Sequence, residues 1–313
     1  GPRQLTEWLH ANRYKLMPPY GMDTPWIESR AVSGPSGAFF SRTRLRALGA
    51  SREVASGCRV AIGIPLGESS SSNIADAIAA ATCALDFIGP AGHSVLVASD
   101  REMEETSKRV QFVAQPQEST LARMHNDLMA RAFASGATHY VALSPGVLPH
   151  RAAIKSMLQM SSVNYDRALV EGVSAAATHR ATSDPLSFDL PDLRCDLLLI
   201  PRAAHDVLSG LDGELSAEIM GIDLAWRARA CGFVLKACPS ALFDMSPESQ
   251  GPDERALLVS ARRLSRKWCG PAWLDERILE LAERGGYELP DVHAEHLPPQ
   301  WLPYATFEKS FAR

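Results

Sequence analysis

Val60-Ala-Ile-Gly-Ile-Pro65, followed by the serines Ser69 to Ser72 and Asn73, is the stretch that decides the fold class. The run is apolar without alternation and stops at proline, which suits a strand buried on both faces of a parallel sheet. The serines and Asn73 offer an N-cap for a helix through about Phe87, with Gly89-Pro90 as its stop. Outward from there the pattern repeats. Ser94 to Ala98 reads as a strand ending at Ser99-Asp100, and Val110 to Ala114 as a short third one. A helix over Thr120 to Ala134 ends at Ser135-Gly136. His139 to Leu143 is a further strand, closed by Ser144-Pro145-Gly146 and followed by a helix from about His150 to Met160. Four alternations of strand and helix predict an α/β sandwich with a mainly parallel central sheet flanked by helices.

The second half uses the same vocabulary less regularly. Strands are expected at Arg167 to Val173, Leu197 to Ile200 and Val234 to Cys238, with helices at Ala203 to Leu208 and Ile222 to Cys231. A polar connection, Ala175 to Asp192, contains Asp184-Pro185. Glu254 to Arg284 reads as two helices broken at Gly270-Pro271, and Pro290 to Arg313 as an extended strap. The chain therefore divides into an N-terminal arm or linker at 1–57, an α/β domain at 58–253, and a helical extension with its strap at 254–313.

With 313 residues, 46% hydrophobic and 22% charged, the chain has the balance of a globular protein that folds by itself. The formal charge of −4 carries no basic surplus, which argues against sequence-independent nucleic-acid binding. The longest apolar stretch, Ile74 to Ile88, is interrupted by Asp76 and Asp86, so no transmembrane segment is expected. Six cysteines without C-x-x-C spacing fit reduced thiols in a cytoplasmic compartment.

In an open parallel sheet, ligands bind beyond the carboxyl ends of the strands. Those ends are Pro65-Leu66-Gly67, Ser99-Asp100 and Ser144-Pro145-Gly146. Small and acidic residues there let a backbone or carboxylate approach a nucleotide; ordinary strand-to-helix turns have the same composition.

Several segments carry a resemblance across roughly residues 58–285. They are Val60 to Pro65, Leu121-Ala-Arg-Met-His-Asn126 with Ala130, and Tyr140 to Pro149. In the second half they are Asp184-Pro185, Leu197 to Arg202, Gly210-Leu-Asp212, Ile222-Asp-Leu-Ala-Trp-Arg227 with Gly232-Phe233, Pro239 to Phe243 and Arg266-Lys-Trp268. In that order they resemble glycosyltransferase family 2, and most closely its bacterial polysaccharide rhamnosyltransferase-like subgroup. The resemblance implies a GT-A fold and transfer of a sugar from a nucleoside diphosphate donor to a bacterial glycan or lipid-linked acceptor. It implies O-antigen or similar polysaccharide synthesis, other polysaccharide-synthesis proteins as partners, and a cytoplasmic or peripheral inner-membrane location. It also implies Mg²⁺ or Mn²⁺ as cofactor.

The sequence departs from that pattern at the chemistry. Gly146 falls where the metal-binding aspartate belongs, and Ser144 is a poor ligand for a hard cation. Met220 and Gly221 fall on the family's Glu-Asp pair, the usual base. Asp244-Met245 falls where a histidine often follows the last strand, and Arg194-Cys195 where a small Ser-Gly pair belongs. Metal-independent or impaired transfer follows, with Asp223 or Glu218, the latter placed on the preceding loop, as replacement base. Asp223 serves equally as a brace for the helix that carries Trp226 and Arg227. The donor-side candidates are Pro65, Leu66, Asp100, Arg123, Ser144 and Gly146, with Arg123 either neutralising a diphosphate or forming a surface ion pair. Trp226 and Arg227 are the acceptor-side candidates. His125, His139, His150, His179 and His205 look too dispersed for a metal site, and the basic pairs at 262–263 and 266–267 read as a solvated face. Two functions stay open: a transferase, or a non-catalytic pseudoenzyme domain that binds glycan, nucleotide or a partner enzyme. An unrelated α/β nucleotide-binding protein is a third reading, which the strand order of a dinucleotide-binding fold would support, although no G-x-G-x-x-G follows the first strand.

Overall fold

The computed structural model describes residues 57–66, 74–89, 92–99, 109–116, 119–164, 166–175, 190, 192–246, 253–268 and 272–292. The readings of the arm at 1–56, the serines at 69–72, Asp100, Asp184-Pro185, His179 and the strap beyond 292 lie outside these residues.

Eight strands form one sheet. They are β1 (Val60–Pro65), β2 (Ser94–Ser99), β3 (Val110–Ala114), β4 (His139–Leu143), β5 (Val147–Pro149), β6 (Ala168–Ser174), β7 (Leu197–Pro201) and β8 (Val234–Met245). The helices are α1 (Ile74–Asp86), α2 (Leu121–Ala134), α3 (Ala153–Val163), α4 (Arg202–Leu208), α5 (Ala217–Ala230), α6 (Glu254–Lys267) and α7 (Ala272–Gly285). The spatial order is β3-β2-β1-β4-β7-β6-β8-β5. The first four strands are parallel. β7 runs antiparallel between β4 and β6, β8 is parallel to β6, and the short β5 is antiparallel to β8. A dinucleotide-binding sheet has the all-parallel order 3-2-1-4-5-6, so with β7 antiparallel the strand order that would support the third reading is not the one observed.

Alternate side chains of the strands feed two cores. Ile62, Val97, Val141 and Val170 face α1 and α3. Ala61, Leu96, Tyr140, Ala142 and Leu198 face the layer of α2, α4, α5, α6 and α7. Leu257, Leu264, Trp268, Leu274 and Ile278 belong to the same cluster as Ile219, Ile222 and Trp226 of α5. The helices of the expected extension are thus part of the main core.

Two elements differ from the sequence reading for identifiable reasons. α5 starts five residues before the expected Ile222, because ten of its fourteen residues are buried and no polar face marks its first turn. β8 runs on to Met245 through Pro239. Its pairing with β6 jumps from Glu171↔Ala237 to Val173↔Leu242, and proline is accepted at such a bulge.

Segments of the resemblance prove to be packing partners. Asn126 of α2 donates to the Leu211 carbonyl at 2.8 Å and accepts from its N–H at 2.7 Å. Gly210, at φ +85°, permits this contact, since a Cβ there meets Asn126 Oδ1 at 2.4 Å.

Candidate functional site

The parallel strands end together, and four of the sequence-predicted donor residues, Pro65, Leu66, Ser144 and Gly146, lie at that edge, whereas Arg123 is on α2 and Asp100 is outside the described residues. Pro65 closes β1, and Leu66, buried, donates its N–H to Ala98 at 2.9 Å. Ser144 and Gly146 form the turn after β4. Gly146 adopts φ +80°, and its carbonyl accepts from Ser246 N at 2.7 Å, which ties the turn to the end of β8. The Ser144 hydroxyl donates to the Cys195 carbonyl at 3.1 Å, and its N–H to the Asp196 carbonyl at 2.9 Å. The turn is therefore laced to residues 192–196, which lead into β7.

That lacing places carboxylates the sequence reading did not single out. Leu143 pairs with Leu197, so Asp196 stands at the ligand edge. An aspartate before a strand reads as ordinary unless the strand is known to be antiparallel, and only then does its N-terminal end fall at this edge. Burial pushes the Asp196 carboxyl up, Arg194 opposes that, and the charge of Glu218 adds to it. Glu171, in mid-β6, accepts from the Arg194 N–H at 3.1 Å. Burial drives its pKa up to about 8, with the charges of Asp196 and Asp192 reinforcing the shift and Arg194 opposing it. Glu218 lies in the first turn of α5 rather than on the preceding loop, half-buried, with its charge felt at Asp196.

The position of the family's base is closed by packing. A Cβ at Gly221 meets the Leu193 carbonyl oxygen at 2.1 Å and Cys195 Sγ at 3.0 Å. Cys195 reaches this place by adopting φ +62°. The 192–196 segment fills the room a carboxylate side chain needs.

Asp223 is fully buried, one helical turn beyond Ile219. Its Oδ2 accepts from Arg227 Nε at 2.8 Å, and its Oδ1 accepts from Trp268 Nε1 at 2.9 Å, with Lys267 Nζ at 3.0 Å. Burial alone pushes this carboxyl up, but the charges of Arg227 and Lys267 and the indole hydrogen bond overcome it and hold the group below its usual range. Lys267 also donates to Asp212 at 2.6 Å, and Arg227 to the Leu208 carbonyl at 2.7 Å. Trp226, expected on the acceptor side with Arg227, packs edge-on against Trp268, ring centroids 5.4 Å apart. Asp223 and Trp226 brace α5 against the end of α6, and Arg227 ties it to the end of α4, inside the protein.

Arg123, on the first turn of α2, pairs with Glu214, which also meets Arg263 at 3.4 Å. The expected solvated basic face at 262–263 and 266–267 is not present. Lys267 is the buried bridge just described, and Arg262 and Arg266 donate to the carbonyls of Pro290 and Val292 at 3.1 and 2.5 Å. Near the place of the missing family histidine, the fold supplies an imidazole from elsewhere: His150 Nε2 lies 2.9 Å from Asp244 Oδ2.

Among the described residues no group of three His, Cys, Asp or Glu side chains is arranged to hold a metal ion. At the turn itself Gly146 has no side chain and Ser144 offers only a neutral hydroxyl, a poor ligand for a hard cation, so these two residues do not make a Mg²⁺ or Mn²⁺ site. No described helix is long and apolar enough to cross a membrane.

No protein-family model matches the chain, and no curated protein sequence matches it. Among solved structures it is similar to GalNAc-T7 with UDP, GalNAc and Mn²⁺, at 9% identity and a TM-score of 0.48, over 76% of this chain and 59% of that one. It is also similar to residues 1–349 of S. aureus TarS in complex with UDP-GlcNAc, at 11% identity and a TM-score of 0.47, over 66% of this chain and 65% of that one. For the same TarS segment without that ligand the identity is 10% and the TM-score 0.44, over 66% and 64% of the two chains. The chain thus spans less than two thirds of each of these structures, and at these scores the likeness carries no argument by itself.

Proposed function

We propose that the chain is a GT-A-like glycosyltransferase that binds a nucleoside diphosphate sugar at the carboxyl ends of β1, β2 and β4 without a metal ligand from the β4 turn. The observation that supports this reading is Asp196, whose main-chain carbonyl holds the Ser144 N–H at the carboxyl end of β4 and whose carboxyl is made more basic by burial. In this reading the acceptor hydroxyl oxygen bonds to the anomeric carbon as the bond from that carbon to the diphosphate breaks. The hydroxyl proton passes to Asp196, and the nucleoside diphosphate leaves with the bonding electron pair. Glu218 keeps the Asp196 proton affinity high through its negative charge. The acceptor proposed is a bacterial glycan or a lipid-linked hydroxyl compound, within an assembly of polysaccharide-synthesis proteins.

Thermal unfolding against a panel of nucleoside diphosphates and nucleotide sugars, with and without Mn²⁺, tests the donor site, because a ligand bound only to the folded state raises the melting temperature. A shift for one nucleotide that does not need Mn²⁺ is expected. Asp196→Asn then keeps that shift and lowers transfer at least about 100-fold, the low end for a general base. Retained transfer in Asp196→Asn removes Asp196 as the base. The closed space at Gly221 favours a second reading, a non-catalytic binding domain, which a folded sample with no shift for any nucleotide would support.

A further inference from the structure

At the opposite end of the sheet from the proposed donor site, three chain-distant residues converge. Cys58 stands just before β1, His139 opens β4, and Asp166 precedes β6. Cys58 Sγ lies 3.5 Å from His139 Nδ1, and His139 Nε2 lies 3.3 Å from Asp166 Oδ1. Asp166 is held at φ +54° and accepts a second hydrogen bond from the Ser161 hydroxyl at 3.1 Å. With the Nε2 proton donated to Asp166, Nδ1 is an acceptor facing the thiol. The Thr138 hydroxyl, which donates to the Arg59 carbonyl at 3.0 Å, lies 3.5 Å from the sulfur and 2.9 Å from Nδ1. Nucleophile, base and orienting carboxylate in this sequence are what makes a thiol reactive toward electrophiles.

We propose that Cys58, His139 and Asp166 form a thiol-exchange site that takes up a low-molecular-weight disulfide and holds it as a mixed disulfide on Cys58. The Cys58 proton passes to His139 Nδ1 as the sulfur attacks one atom of the disulfide. A new Sγ–S bond forms, the old S–S bond breaks, and the leaving thiolate takes the proton from His139; the low-molecular-weight disulfide is the oxidant, one of its sulfurs being reduced to a thiol as Cys58 is oxidised. Burial pushes the Cys58 thiol up, Thr138 pulls it back and the Asp166 charge adds to the rise, so no standing thiolate is expected and the proton must be removed during attack. Burial lowers the His139 pKa although Asp166 opposes it, which keeps the ring neutral and able to accept. Both ring nitrogens are engaged in this arrangement, so the cluster is a proton-transfer set and not a metal site. Cys58 is half-buried, and exposed Cys83 on α1 serves as a reference thiol in the same molecule.

The test treats the full chain with oxidised glutathione at pH 7 and follows adducts on Cys58 and Cys83 by peptide mass spectrometry. Faster modification of Cys58 than of Cys83 is expected. Asp166→Asn, a change at a half-exposed side chain, should slow Cys58 at least about tenfold and leave Cys83 unchanged, and His139→Gln should do the same more strongly. Cys58 reacting no faster than Cys83, or at an unchanged rate in folded Asp166→Asn, overturns the proposal. If His139→Gln does not fold, the Asp166→Asn comparison still decides.

Discussion

Glu171 sits in the middle of β6, 8% exposed, with the Arg194 N–H on its carboxylate. Its pKa of about 8 against an ordinary 4.5 means that the folded chain holds a proton the unfolded chain has released between those two values. Stability therefore falls as pH rises through that window and levels off above it. Glu171→Gln removes this titration while its amide oxygen still accepts from Arg194. Urea unfolding should show little change at pH 4 and a gain on the order of 1–3 kcal/mol at pH 8.5. Equal midpoints for the two proteins at pH 8.5 would show that Glu171 ionises freely in the fold. No part of this was legible in the sequence: Glu171 lies inside a strand pattern, and its neighbours Asp192, Arg194 and Asp196 arrive from a connection whose course the sequence does not reveal. Asp223 is the converse. Its alternative role as a helix brace was readable from the spacing to Arg227, and the structure adds Lys267 and Trp268 from a helix forty residues on.

At the scale of elements, α5 and the segment entering β7 are matched surfaces. Gly221 lets the Leu193 carbonyl approach the helix, and Gly221→Ala forces the two apart. A loss of about 1–3 kcal/mol or more is expected from chemical denaturation, as for other overpacked cores. An unchanged midpoint would mean that the segment yields without strain. The same contact leaves no room for an aspartate at Gly221, the position the resemblance assigns to the base pair. Apart from β5 and the far half of β8, the strands were legible nearly to the residue, because compact apolar runs with turn residues after them mark buried strands locally: Val110–Ala114 and His139–Leu143 match their expected bounds. The direction of β7 was not legible, since direction depends on its partners, Val141↔Leu199 and Val170↔Leu199, rather than on its own residues. That one unknown hid Asp196. β5 escaped because three residues carry no periodicity.

For the whole molecule, the boundary drawn at residue 253 from composition is crossed by the main core and by charge. Lys267 of α6, 8% exposed, stands between Asp212 and Asp223, which are 9% and 0% exposed. Lys267→Ala leaves two carboxylates in the interior short of a counter-charge and should cost about 3–5 kcal/mol in urea unfolding. A loss under about 1 kcal/mol would show the bridge to be solvated and the C-terminal helices only loosely attached. The basic pairs of α6 looked solvated in sequence because alternate arginines among leucines resemble an amphipathic surface helix. Their acceptors, the carbonyls of Pro290 and Val292, lie in the segment that follows α7. The perpendicular indoles of Trp226 and Trp268 span this same junction, one from α5 and the other from the end of α6. Two chromophores coupled at that distance give the protein an intrinsic optical reporter: their circular-dichroism couplet vanishes once the C-terminal helices undock, so the order in which the layers come apart can be followed without a label.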